Sequence, residues 1–204
     1  MTVKNELYRI LSLDGGSSWA LIEAATLADI YGLDKPGREI LANFSLAVAN
    51  SGGSIVLAGL ILNLTPRQIL DLLLDEQIRK CIFVLKPWYE RITSIGRFRK
   101  YRNSDKIAGL RKAFSGILKN SDTEIPLTDI NTKFNISTNI IITAFDYDRE
   151  RVKFFRSNNL SNTGNGAQNV SILEAIHASS SAPVLFFDDP AFFKNTTVRR
   201  IQDL

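Results

Sequence analysis

Ser51 lies at the centre of an Ala-Asn-Ser-Gly-Gly segment, residues 49–53. The apolar run over residues 44–49 predicts a buried strand before it, and the run beginning at Ile55 predicts a buried helix after it. A serine between small residues at a strand-to-helix turn is typical of a nucleophile elbow, where the hydroxyl is exposed and the start of the helix points at it. We therefore take Ser51 as a candidate nucleophile. The alternative is a helix-capping serine in a Gly/Ser-rich loop.

A second turn, Asp-Gly-Gly-Ser-Ser at residues 14–18, follows another short apolar run. Consecutive glycines after a strand let backbone N–H groups line a cavity. The alternatives are a plain tight turn and a phosphate-binding loop, and a nucleotide loop is disfavoured because Gly-Lys-Ser/Thr and Gly-x-Gly-x-x-Gly are both absent. An oxyanion loop upstream of an elbow is a more specific signal than either turn alone.

A serine nucleophile needs a proton acceptor, and the chain has one histidine, His177. It lies in the middle of an apolar helical segment, residues 172–178, where a structural histidine is the stronger interpretation. A Ser-Asp dyad without histidine is therefore the better candidate. The Asp146 and Asp148 pair is interpreted as hairpin-turn chemistry rather than a carboxylate site.

Strands alternate with helices along the chain, which predicts an α/β fold with a mostly parallel sheet covered by helices on both faces. Ligands of such sheets bind at the carboxyl ends of the strands, where both glycine turns are expected. We expect strands at residues 8–13, 44–49, 139–145 and 152–155, and helices at residues 19–31, 55–64, 65–74, 105–118 and 170–178.

The composition suits one α/β domain with a sizeable core, because 45% of the 204 residues are hydrophobic. The net charge of +4 fits ordinary solubility or attraction to anionic headgroups, and no motif supports nucleic-acid binding. The lone Cys81, in an apolar run, is expected in the core, and no zinc spacing occurs. The polar N-terminus does not resemble a secretory signal, and no apolar stretch is long enough to span a bilayer. A cytoplasmic location is expected, with signal-less export of a bacterial effector left open.

Taken together, three segments resemble motifs of the patatin-like phospholipase family, and they span nearly the whole chain. Residues 11–20 are similar to its Asp-Gly-Gly-Gly-x-Arg-Gly oxyanion loop, and residues 49–54 to its Gly-x-Ser-x-Gly-Gly elbow. Residues 174–183 are similar to its Ala-x-Arg-Ala-Ser/Thr-Ser-Ala-Ala-Pro stretch, with His177 where arginine is usual. The order and spacing of the three motifs carry the resemblance.

The resemblance implies a three-layer α/β/α patatin-like fold and a lipid acyl hydrolase of the phospholipase A type, with no metal or cofactor. Ser51 would attack the acyl carbonyl, and the backbone N–H groups of Gly15, Gly16 and Ser17 would form the oxyanion hole. A phospholipid or other acyl lipid is the implied substrate, and a peripheral membrane surface is a further candidate partner.

This sequence departs from the family pattern in its oxyanion loop and its acid. Ser17 replaces the third glycine, Trp19 the arginine and Ala20 the last glycine. No Asp-Gly follows residue 183, so Asp203, at the end of a predicted strand, is the candidate catalytic aspartate. These departures predict a single domain over residues 1–204 that is truncated at its C-terminus. They leave open a catalytically inactive module that binds lipid or a protein partner.

A basic and aromatic run at residues 97–102, together with Trp88, Tyr89 and Arg91, suggests a membrane-facing cap. The alternative is a solvated basic end of a helix, which we favour.

Overall fold

The computed structural model describes residues 7–16, 19–82, 101, 103–115, 124–147, 149–158 and 170–181. Among these, four strands form one sheet in the order of the chain: β1 (Ile10–Leu13), β2 (Leu46–Asn50), β3 (Asn139–Asp146) and β4 (Arg151–Arg156). The first three strands are parallel, and β4 returns antiparallel to β3 through a hairpin. This is the α/β class with a mostly parallel sheet that the sequence predicts.

The helices of the described residues connect and cover these strands. They are α1 (Trp19–Tyr31), α2 (Gly37–Leu41), α3 (Gly52–Ile61), α4 (Pro66–Leu74), α5 (Glu76–Ile82), α6 (Asn103–Ser115), α7 (Ile130–Phe134) and α8 (Ile172–Ser180). Two of them start with a capping box, in which Thr65 caps α4 and Ser171 caps α8. Pro66 is the first residue of α4, a position at which the missing proline N–H costs the helix no hydrogen bond.

The helix α3 forms the centre of the core, because all ten of its residues are buried. Its sequence is apolar or small all round, as a helix enclosed by other elements requires. It packs against β1 and β2 on one side and against α1, α2 and α8 on the others. The element that begins directly after Ser51 is therefore held from several directions.

The parallel pairing of β1 with β2 brings the two glycine turns together. Leu13, the last residue of β1, is in register with Ala49, two residues before Ser51. Because both strands run the same way, the turn at residues 14–16 and the turn at Ser51 leave the sheet at the same edge.

Several boundaries differ from the prediction, and one of them affects the site. The helix after Ser51 begins at Gly52, not at Ile55. The prediction followed the apolar run and did not include Gly52 and Gly53, which form the first turn of the helix. The helices α2, α5 and α7 were not predicted. Cys81 is partly exposed rather than in the core, and the Lys112 ammonium of α6 lies 3.7 Å from its sulphur.

Candidate active site

Ser51 adopts a strained backbone conformation at the junction of β2 and α3. Its φ is 49° and its ψ is −122°, a region that side-chain-bearing residues rarely occupy. The next residue, Gly52, is already the first residue of α3. A strained serine between a strand and a helix is the backbone geometry that is typical of a nucleophile elbow.

Glycines make this junction possible because three backbone segments meet there. A Cβ added to Gly15 would lie 1.9 Å from the Asn50 carbonyl oxygen and 2.8 Å from the Gly52 nitrogen, and Gly15 has a φ of +71°. A Cβ added to Gly53 would lie 2.3 Å from the Leu13 carbonyl oxygen. The loop after β1 and the first turn of α3 therefore pack backbone to backbone.

Two serines outside the predicted site support the elbow. The Ser51 N–H donates a hydrogen bond of 2.8 Å to the hydroxyl oxygen of Ser179, which lies near the end of α8. The Ser54 hydroxyl donates to the Ser51 carbonyl oxygen at 2.5 Å. Ser179 belongs to a segment singled out in the sequence, but nothing local in that segment indicates contact with the elbow, since the two residues are far apart in the chain.

The glycine turn at residues 14–16 has a partner that sequence reasoning missed, Glu23 of α1. The Gly15 N–H donates a hydrogen bond of 2.9 Å to Glu23 Oε1. Burial raises the pKa of the Glu23 carboxyl, as does the neighbouring Asp14 charge, while the backbone N–H groups of Gly15 and Asp14 oppose the shift. The sequence signal for the contact between Glu23 and the turn is a single carboxylate in the otherwise apolar first half of α1.

His177 is buried in α8, and its ring Nδ1 has no hydrogen-bond partner among the described residues. Burial lowers the pKa of this histidine to about 3, with a smaller contribution from Lys106. Lys106 of α6 is itself fully buried, its ammonium lies 3.2 Å from the Ser181 hydroxyl, and burial lowers its pKa. A neutral, enclosed imidazole agrees with the structural role favoured for His177 from the sequence.

The remaining predicted site residues are only partly described. Gly16 has a φ of +107° and lies in the turn between β1 and α1, while Ser17 and Asp203 lie outside the described residues. Within the described part of the chain the Ser51 hydroxyl makes no hydrogen bond. The structure brings Gly15 beside the Ser51 turn, and the assignments of Gly16, Ser17 and Asp203 stay predictions.

An open pocket of about 660 Å³ lies beside the glycine turn, between β1 and α1. Asp14, Gly15 and Glu23 line its polar end, and the rest of the lining is mainly apolar. Trp19, where the family motif has arginine, is 62% exposed at this pocket. The surface next to the glycine turn at residues 14–16 is therefore largely aromatic and apolar.

Other predicted features lie away from the site or outside the described residues. Asp146 forms an ion pair with Arg149 in the hairpin, with 3.1 Å between the carboxylate oxygen and the guanidinium nitrogen. Asp148 lies outside the described residues. The basic and aromatic run is outside the described residues except for Tyr101. Over the described ranges, no group of three or more His, Cys, Asp or Glu side chains could hold a metal ion. None of the helices in those ranges is long and apolar enough to cross a membrane.

Comparisons with known proteins place the chain in a wider context. A family model described as patatin-like phospholipase matches residues 11–203. Among solved structures, the crystal structure of VipD from Legionella pneumophila is similar at 14% identity with a TM-score of 0.44, covering 88% of this chain. This chain spans 43% of the length of the VipD chain. No curated protein matches the chain.

Proposed function

This chain belongs to the patatin-like phospholipase family, and we propose on that premise that it hydrolyses acyl esters of phospholipids or related lipids, with Ser51 as the nucleophile. The observation that carries the proposal is the strained conformation of Ser51 directly before α3, at φ 49° and ψ −122°. Such strain is retained where the surrounding structure enforces it, and it is a recurrent feature of functional sites. Here Gly15, Ser54 and Ser179 provide the enforcement.

The chemistry follows from the groups around the elbow. The Ser51 oxygen attacks the acyl carbonyl carbon and its proton passes to a base, which gives a tetrahedral intermediate with a negatively charged oxygen. Collapse of the intermediate expels the alcohol and leaves an acyl-serine, which water then hydrolyses. Asp203 is the proposed base, by resemblance to the family.

Backbone N–H groups are the proposed stabilisers of the oxyanion. The first N–H groups of a helix have no partner within it, which makes the Gly52 N–H at the start of α3 available. Gly16 and Ser17 would contribute from the opposite loop. The Gly15 N–H already donates to Glu23, so Gly15 is proposed to hold the loop in place rather than to donate to the oxyanion itself.

The substrate is proposed to be an acyl lipid held at a membrane surface. The exposed Trp19 and the apolar lining of the adjacent pocket favour an apolar ligand over a small polar ester. The net charge of +4 favours an anionic surface.

Ester turnover by the purified chain and by Ser51→Ala tests the proposal. We expect hydrolysis of short-chain esters and phospholipid vesicles by the wild type, labelling of Ser51 by a fluorophosphonate probe, and loss of both in Ser51→Ala. Ser45→Ala, which removes a half-buried serine of the same sequence region outside the site, is the matched control. Wild-type and Ser51→Ala proteins that are equally inert on all substrates would overturn the enzymatic proposal.

Two further measurements separate the parts of the proposal. An Asp203→Asn variant with an unchanged rate removes Asp203 from the mechanism while keeping Ser51. Co-sedimentation with anionic vesicles in the absence of turnover indicates the inactive lipid-binding alternative, and the absence of both turnover and binding overturns it as well.

A further inference from the structure

A carboxylate of α1 lies between the two glycine turns of the site. Glu23 Oε1 accepts the Gly15 N–H at 2.9 Å. Its other oxygen, Oε2, is buried, has no hydrogen-bond partner in the part of the chain described, and would lie 3.0 Å from a Cβ placed on Gly53. One side chain thus contacts the loop after β1 through one oxygen and faces the first turn of α3 with the other.

The position is unfavourable for a carboxylate unless something compensates. A buried carboxylate oxygen without a partner costs free energy, and burial raises the pKa of Glu23 in agreement with that cost. The compensating interaction is the hydrogen bond of 2.9 Å from the Gly15 N–H, and the Asp14 N–H adds a weaker contribution. The benefit of Glu23 therefore falls on the backbone of this loop, chiefly at Gly15.

Gly15 is the residue whose placement decides how closely the loop approaches the elbow. Its Cα packs against the Asn50 carbonyl and the Gly52 and Gly53 nitrogens, and its φ is +71°. Without Cβ and at positive φ, glycine has the widest conformational freedom of any residue, so its orientation must be fixed from outside. The hydrogen bond that the Gly15 N–H donates to Glu23 supplies that constraint.

We propose that Glu23 is a positioning residue that fixes the Gly15 peptide against the start of α3 and thereby sets the direction of the Gly16 N–H that follows it. The structural part of this inference stands on the contacts above. Its catalytic consequence, correct placement of the Gly16 N–H as an oxyanion donor, rests on the proposed function.

The direct test is the hydrogen exchange rate of the Gly15 amide, measured by NMR on the full chain. In Glu23→Ala we expect this amide to exchange about tenfold faster, since it loses a hydrogen bond to an ionisable group. Glu23→Asp keeps the carboxylate but is one methylene shorter, so it is expected to release the amide as well. Glu23→Gln keeps a carbonyl acceptor at the same reach and is expected to remain close to the wild type.

Controls separate a local effect from a general loss of stability. Glu39→Ala makes the same change as Glu23→Ala at an exposed glutamate of α2 and is expected to leave the Gly15 amide unaffected. The amides of α3 report global opening, so a rise confined to the loop supports the inference. An unchanged Gly15 exchange rate in Glu23→Ala and Glu23→Asp, or an equal rise throughout α3, would overturn it.

The kinetic arm tests the catalytic consequence separately. On a short-chain ester we expect Glu23→Ala to lower kcat about tenfold with KM unchanged, and Glu23→Gln to restore kcat, because oxyanion donors act on the transition state. An unchanged kcat in Glu23→Ala overturns the catalytic part. If the wild type is inert, the exchange measurement still decides the structural part, and the failure belongs to the proposed function alone.

Discussion

Gly15 is subject to two separate constraints, one from its backbone conformation and one from its surroundings. Its φ of +71° favours glycine, and its Cα faces the Asn50 carbonyl oxygen so closely that a Cβ would lie 1.9 Å from it. Gly32 provides a natural comparison, because its φ is +90° and a Cβ there would meet nothing within 4 Å. The pair allows the cost of the conformation to be separated from the cost of the clash.

We expect Gly32→Ala to lower the free energy of unfolding by about 1–2 kcal/mol, the cost of a left-handed conformation alone. Gly15→Ala adds a backbone clash that only a shift of the loop or of β2 can relieve, so its loss should reach about 3 kcal/mol or more. Chemical denaturation with circular dichroism measures both. Equal losses in the two variants would mean that the close packing of Gly15 on the elbow is not present in solution.

At the scale of secondary-structure elements, α8 is the helix that contacts the backbone of Ser51 directly. Its capping box at Ser171 fixes where the helix starts, and near its other end Ser179 accepts the Ser51 N–H at 2.8 Å. The next residue, Ser180, directs its hydroxyl to the Ile176 carbonyl oxygen within the same helix, at 2.6 Å. Of these two adjacent serines, Ser179 therefore bonds to the Ser51 turn, whereas Ser180 bonds within its own helix.

Removal of the Ser179 hydroxyl should leave the part-buried Ser51 N–H without its partner. We expect Ser179→Ala to lower the free energy of unfolding by about 1–3 kcal/mol and to slow fluorophosphonate labelling of Ser51. Ser180→Ala removes a bond internal to the helix and is expected to stay within about 0.5 kcal/mol of the wild type. If the two variants are indistinguishable in stability and labelling, α8 does not hold the elbow.

At the scale of the whole molecule, buried ionisable groups couple folding to pH. His177 has a pKa of about 3 in the folded state and an ordinary value of 6.5 when exposed, so the unfolded chain binds a proton that the folded chain excludes. The stability associated with neutral His177 is present above pH 6.5 and is lost as the pH falls towards 3. Glu23, whose pKa is raised, acts in the opposite direction over its own titration range.

We therefore expect the free energy of unfolding to fall as the pH is lowered from 6 to 4, with His177 contributing about 1.4 kcal/mol per pH unit at most. His177→Leu has no titratable group at residue 177, so the free energy of unfolding of this variant should depend less on pH over the same range. Denaturant titrations at several pH values measure the two slopes. Parallel slopes for the wild type and His177→Leu would show that the imidazole is accessible to protons in the folded protein.

Alternation of apolar runs with glycine and serine turns was sufficient to predict the α/β class, the mostly parallel sheet and the position of Ser51 after β2. These features follow from local sequence because strand and helix patterns and turn residues are local properties. The start of α3 was not predictable in this way, since Gly52 and Gly53 are poor helix formers in isolation. In the folded protein glycine is required at residue 53, because a Cβ there would lie 2.3 Å from the Leu13 carbonyl oxygen of β1.

The sequence by itself therefore determined which residue stands at the strand-to-helix turn and that two glycine turns leave the sheet at one edge. Only the tertiary structure decided what surrounds them: Glu23 on the Gly15 N–H and Ser179 on the Ser51 N–H. The physical reason is that a hydrogen bond between residues distant in the chain depends on how helices pack across the sheet. That packing leaves no periodic signal at the residues it joins.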